Sequence, residues 1–151
     1  MALPLKPLDI DQRLTKFLSS APRHKVVVLL NDSVGASLPA IDVGRELAAY
    51  LEAYSTSHRA MDEAKQFLTK LIAQKTQRDP QFGPWVALRN LGILFERDLD
   101  ISPANLIDNL SRNTLFIIQW PGLVNDGKLY FLDRGSRYFI DLSQISHITL
   151  L

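Results

Sequence analysis

The sequence predicts an α/β fold: a mostly parallel sheet flanked by helices, with short antiparallel strands at the C-terminus. Three observations lead there. Lys25-Val26-Val27-Val28-Leu29-Leu30 and Thr114-Leu115-Phe116-Ile117-Ile118-Gln119-Trp120 are short and apolar at odd and even positions alike, as strands covered on both faces must be. Segments with apolar residues at helical spacing lie between them. Beyond Pro121-Gly122 the pattern changes to brief apolar runs cut by turn residues.

In chain order, Leu14, Phe17 and Leu18 share one helical face over Asp9 to Ser20, and Pro22 ends that helix. The first covered strand runs to Leu30, and Asn31 to Ser37 is a polar, glycine-containing turn. A short strand or extended turn is expected near Pro39 to Asp42; the alternative is one continuous helix from Ser37 to Tyr54, since Pro39 is tolerated in a first turn. A helix follows from about Gly44 to Tyr54, on Leu47, Tyr50, Leu51 and Tyr54. Another spans about Met61 to Gln74, with Ala64, Phe67, Leu68, Leu71 and Ile72 inward. Lys75 to Pro80 is polar and unpatterned, an exposed connection. Trp85 to Leu88 reads as a strand and Leu91 to Phe95 as a further apolar stretch. Ser102-Pro103 starts a helix, with a hydroxyl N-cap and proline at the first helical position; Leu106, Ile107 and Leu110 face inward. After the second covered strand, Lys128 to Leu132, Tyr138 to Leu142 and Ile145 to Leu151 are short strands, separated by turns at Asn125-Asp126-Gly127 and Arg134-Gly135-Ser136.

The 151 residues suit one domain with one sizeable core. Seventeen basic against sixteen acidic residues leave almost no net charge, which disfavours a generic nucleic-acid or membrane-surface binder. The absence of cysteine removes thiolate catalysis and cysteine metal sites and fits a reducing compartment. Neither a signal-peptide run nor a span-length apolar stretch is present, so the expected location is the cytoplasm.

A covered strand running into a glycine-containing turn is where a phosphate-binding loop would sit. Laid on G-x-x-x-x-G-K-[ST], Leu30 to Ser37 match at Gly35 and Ser37. Leu30 replaces the first glycine, and Ala36 replaces the lysine that bridges the phosphates. The order is P-loop-like, the side chains are not, and the loop also reads as a plain turn. Hydrolysis further needs a carboxylate at the tip of a neighbouring strand, but Trp85 to Leu88 leads into Arg89 and Asn90, and an arginine repels the cation. Glu96, Asp98 and Asp100 read as a solvated acidic turn. His24, His58 and His147 stand singly without ligand spacing, the first two in exposed settings.

Two features remain as interaction candidates. Ser111, Arg112 and Asn113 lie between a helix end and a covered strand; Arg112 and Asn113 suit either a helix C-cap or a recognition role. Trp120, before Pro121-Gly122, ends a strand at the edge where α/β proteins bind ligands, and reads equally as an aromatic plug.

With the elements placed, the second half resembles a known family. Leu91-Gly92-Ile93-Leu94-Phe95, Leu106 through Ser111-Arg112-Asn113, the strand after it and Trp120-Pro121-Gly122 are similar to the small P-loop proteins of bacterial phage-exclusion (BREX) gene clusters, the BrxF family. Leu129-Tyr130, Tyr138 and, more weakly, Ile41 to Leu47 extend the likeness. The resemblance implies a single P-loop-like domain over residues 1–151 and a part in antiviral defence. The departures fall on the chemistry: Arg89 stands where the family has an acidic strand end, Gly92 stands at a position often acidic, and the loop lysine is missing. The resemblance and its departures together imply a degenerate, non-hydrolysing accessory subunit without catalytic residues, metal or cofactor. Its partners would be other protein subunits of a defence complex or a second copy of itself, with nucleic acid met only indirectly. The alternatives are an active component using ATP and Mg2+ through Gly35 and Ser37, and an accessory protein that contacts nucleic acid.

Overall fold

A computed structural model of the chain describes residues 12–30, 39–53, 63–96, 99, 101–131 and 138–150. Within them, α1 is Gln12–Ser19, β1 Val26–Leu29, β2 Ala40–Asp42, α2 Val43–Ala53 and α3 Ala64–Lys75. Then come β3 Gln77–Asp79, β4 Gly83–Arg89, a 3-10 turn Gly92–Phe95, α4 Pro103–Leu110 and β5 Leu115–Gln119. The chain ends with β6 Leu123–Asn125, β7 Lys128–Tyr130, β8 Phe139–Asp141 and β9 His147–Leu150.

The central sheet runs β2-β4-β5-β1-β9, all parallel, with β3 antiparallel beside β4 on the edge it shares with β2. The register is continuous: Val26 lies level with Phe116 and His147, and Ala87 with Ala40 and Ile117. A separate sheet, β6-β7-β8, is antiparallel. The mostly parallel sheet, its helices and the short antiparallel strands are therefore all present. One tail element differs in its pairing: β9 joins the central sheet in parallel and satisfies the backbone N–H and C=O groups on the edge of β1 that β5 leaves open.

Period-two alternation sorts the strands between two cores. Val26, Val28, Val86, Leu88, Phe116 and Ile118 face α2, α3, α4 and the small sheet through Leu47, Leu68, Ile72, Leu106, Ile107, Leu129 and Ile140. Val27, Leu29, Trp85, Ala87, Leu115 and Ile117 pack on the opposite face with Leu14 and Leu18 of α1. Burying both faces is what the unbroken apolar runs anticipate.

Local chemistry explains the boundaries. The Ser102 hydroxyl accepts from the Asn105 N–H at 3.3 Å, and Pro103 opens α4. Asp126 and Gly127 both have positive φ, the two-residue turn that joins β6 to β7. The expected break at Pro39 to Asp42 is β2 itself, and no helix runs through it. From the end of β1 to the start of β2 the chain has only Leu30 to Pro39, shorter than the dozen or so residues of an ordinary parallel crossover.

Two sequence readings are corrected. Lys75 to Pro80 is not merely an exposed connection: it contains β3, and Asp79 is buried. The Asp79 carboxylate accepts the N–H groups of Gln81 and Phe82 at 2.8 and 2.7 Å, closing the hairpin to β4 through an Asx turn that a polar composition does not reveal. Leu123–Asn125, not read as a strand, is β6. Among the described residues, no helix is long and apolar enough to cross a membrane.

Candidate functional site

In an open parallel sheet, ligands bind beyond the carboxyl ends of the strands, near the point where winding changes direction. Here β1 leads off across β5 and β4 to β2, whereas β5 leads the other way, across β1, to β9. The candidate site is therefore the carboxyl edge of β1, β5 and β4. Gly35 and Ser37 lie outside the described residues, as do the rest of the Asn31 to Ser37 turn, His58, Asp98, Asp100 and the turn at Arg134 to Ser136. Glu96 is described and exposed.

At the end of β4, Arg89 and Asn90 meet Asp42 at the end of β2. Arg89 Nη2 lies 3.4 Å from Asp42 Oδ2, and Asn90 Nδ2 donates to Asp42 Oδ1 at 2.7 Å. The same Oδ1 accepts the Arg45 backbone N–H at 3.0 Å, so Asp42 is the N-cap of α2. Asn90 takes a left-handed φ of 59, and its carbonyl accepts the Gly44 N–H at 3.0 Å. A Cβ on Gly44 would sit 2.4 Å from Asn90 Nδ2, so a side chain there would push the Asn90 amide away from Asp42. The backbone bond from Arg45 holds the Asp42 carboxyl below the usual carboxylate range. Partial desolvation opposes this, and Asn90 and the Arg89 and Arg45 charges reinforce it.

Among the described residues, the tip of β4 does not offer a site for a magnesium ion. The strand tip that should offer a carboxylate offers a guanidinium, and the nearest carboxylate already caps its own helix. Replacing Asp42 by alanine should cost about 1–2 kcal/mol in urea unfolding, the usual loss for an N-cap. The pH dependence has a fixed sign. The folded pKa is lowered, so the contribution is complete above the unfolded value of about 3.9 and is lost as pH falls through the folded value. Wild type should accordingly lose stability below about pH 4 more steeply than Asp42→Ala.

No protein-family model, curated protein or solved structure matches this chain. The chemistry of its side chains is therefore the basis for reading the site.

The interaction candidates separate. Trp120 is 2% exposed, packs on Phe131 with centroids 4.5 Å apart, and donates Nε1–H to the Tyr130 carbonyl at 3.0 Å. The indole is thus buried between the sheets, where an aromatic plug would sit. Ser111 is fully buried, and its carbonyl accepts the Lys25 N–H at 2.9 Å. Arg112 and Asn113 are exposed, on the amino edge of the sheet, away from Trp120. Arg112 Nη2 donates to Asp108 Oδ1 at 3.2 Å, one turn back on α4.

The same carboxylate oxygen reaches a residue that sequence reading misplaced. His24, expected to be exposed, is 3% exposed, and its Nε2 lies 2.5 Å from Asp108 Oδ1. Its Nδ1 faces the Ser146 backbone N–H at 3.4 Å. A carboxylate needs a donor and an N–H needs an acceptor, and an Nε2–H tautomer of the ring supplies both. Asp108 is held below the usual carboxylate range by the His24 bond first and the Arg112 bond second. No local signal marks His24, because its partners are 84 and 122 residues away.

Proposed function

We propose that this chain is a non-hydrolysing, P-loop-like accessory subunit that acts in the bacterial cytoplasm by binding other proteins of a BREX-type phage-exclusion assembly. One observation carries the reading: Arg89, at the carboxyl end of β4 where hydrolysis requires an acid, is paired with Asp42, the carboxylate capping α2. A short β1-to-β2 connection supports it, as does Trp120 filling space at the end of β5. The link to phage exclusion rests on the resemblance of the Ser111-Arg112-Asn113 to Trp120-Pro121-Gly122 unit. Of the four interaction candidates in that unit, Ser111 and Trp120 are internal, and Arg112 and Asn113 are exposed and free to meet a partner's surface. A guanidinium with five donors, one of them engaged by Asp108, suits a planar polar contact.

The test is nucleotide itself. A ligand at about 100 times its Kd stabilises the native state by about 2.7 kcal/mol, a shift of several degrees for a domain of this size. ATP with magnesium should move the melting temperature by less than about 1 °C. No phosphate should be released above blank. Magnesium-dependent turnover that disappears in Ser37→Ala would overturn the reading.

A further inference from the structure

His24 joins three elements at the amino edge of the central sheet. It precedes β1, donates to Asp108 of α4, and accepts from Ser146 just ahead of β9. Both ring nitrogens are engaged and the ring is buried, so a change in protonation cannot be absorbed by solvent. The charged groups around it come from each packed element. Asp108 belongs to α4, Arg112 follows it and shares its oxygen, and Arg23 and Lys25 adjoin His24 in the chain. The lead-in to β9 presents an uncharged N–H. It also carries a second imidazole, His147, whose Nδ1 lies 2.7 Å from the Ile145 carbonyl.

We infer that His24 is a proton-operated latch on the edge strand of the sheet: neutral, it pins the lead-in of β9 to α4 and β1; protonated, it keeps Asp108 and releases Ser146. The proton comes from solvent and can enter only at Nδ1, since Nε2 already carries one. Two N–H groups then point at each other where a donor and an acceptor stood, while the bond to Asp108 becomes an ion pair and strengthens. The two contacts respond in opposite directions, and that asymmetry makes the group a switch. The 3.4 Å bond to Ser146 is the longer of the two and the one that yields. The latch affects β9 because, among the described residues, that strand pairs with β1 alone.

Ring and amide 1H–15N spectra of the full chain, recorded from pH 8 to pH 5, test this without a variant. The expected result is the Nε2–H tautomer for His24 at pH 8. As the ring titrates, the Ser146 amide signal should move with it. The amides of residues 146–150 should lose exchange protection by about fivefold beyond the intrinsic pH effect, the loss of one modest hydrogen bond. His147→Gln should leave this behaviour intact, which separates the two imidazoles. His24→Asn keeps an acceptor near Ser146 and cannot titrate, so its protection should be flat with pH. An Nδ1–H tautomer overturns the inference. So does a ring that titrates without moving Ser146, a ring that stays neutral throughout, or a response that vanishes in His147→Gln.

Discussion

Replacing Trp120 by alanine should destabilise the protein by about 3–5 kcal/mol in urea unfolding, the range for removing a large buried aromatic. The indole is 2% exposed, belongs to the larger core and packs against Phe131. Its Nε1–H bond to the Tyr130 carbonyl links the end of β5 to β7, so truncation also orphans a backbone acceptor. Trp120→Phe keeps most of the apolar volume and loses that bond; it should cost about 1–2 kcal/mol. If the alanine variant loses less than about 1 kcal/mol, Trp120 is not the link between the two sheets that its contacts describe.

Gly122→Ala should be nearly as damaging, about 3 kcal/mol or more, although it adds a single methyl group. The added Cβ would lie 1.9 Å from the Tyr130 carbonyl oxygen and 2.9 Å from Trp120 Nε1. No rotamer relieves a collision with backbone, so β6 must move off β7 or the indole must leave its acceptor. In a Trp85→Phe background the remaining indole reports this directly. Gly122→Ala should shift its emission to longer wavelength before denaturant is added. An unshifted spectrum with unchanged stability would mean that the turn accommodates the methyl without parting β6 from β7.

Much of the fold was legible because it rests on local signals. The β1 and β5 runs, the Ser102-Pro103 cap, and the Asp126-Gly127 turn each carry their cause within a few residues. The helix α2 was legible from the spacing of Leu47, Tyr50 and Leu51. What escaped depends on distant partners. Asp79 looked like one more polar loop residue because its acceptor role appears only once the chain turns back on itself. His24 looked exposed because Asp108 and Ser146 are remote in sequence. Arg89 was read as an obstacle to a cation, but its pairing with Asp42 requires β2 and β4 to be adjacent, which no spacing encodes. Ser111 and Trp120 share a motif with Arg112 and Asn113, yet burial divides the four into two internal and two external residues.

The placement of β1 has a consequence for how the protein is made. This strand is synthesised well before its partners, which are residues 116–119 on one side and 147–150 on the other. At about 5–20 residues per second, a ribosome needs several seconds to reach β5 and longer to finish β9. Throughout that interval four consecutive aliphatic residues, Val26–Leu29, have two unsatisfied edges. Native pairing of this kind closes long loops, which slows folding and prolongs exposure to unwanted strand pairing. The nascent chain should thus be a client for chaperones until β9 is complete, and loss of β9 would turn the sheet's interior strand into an adhesive edge.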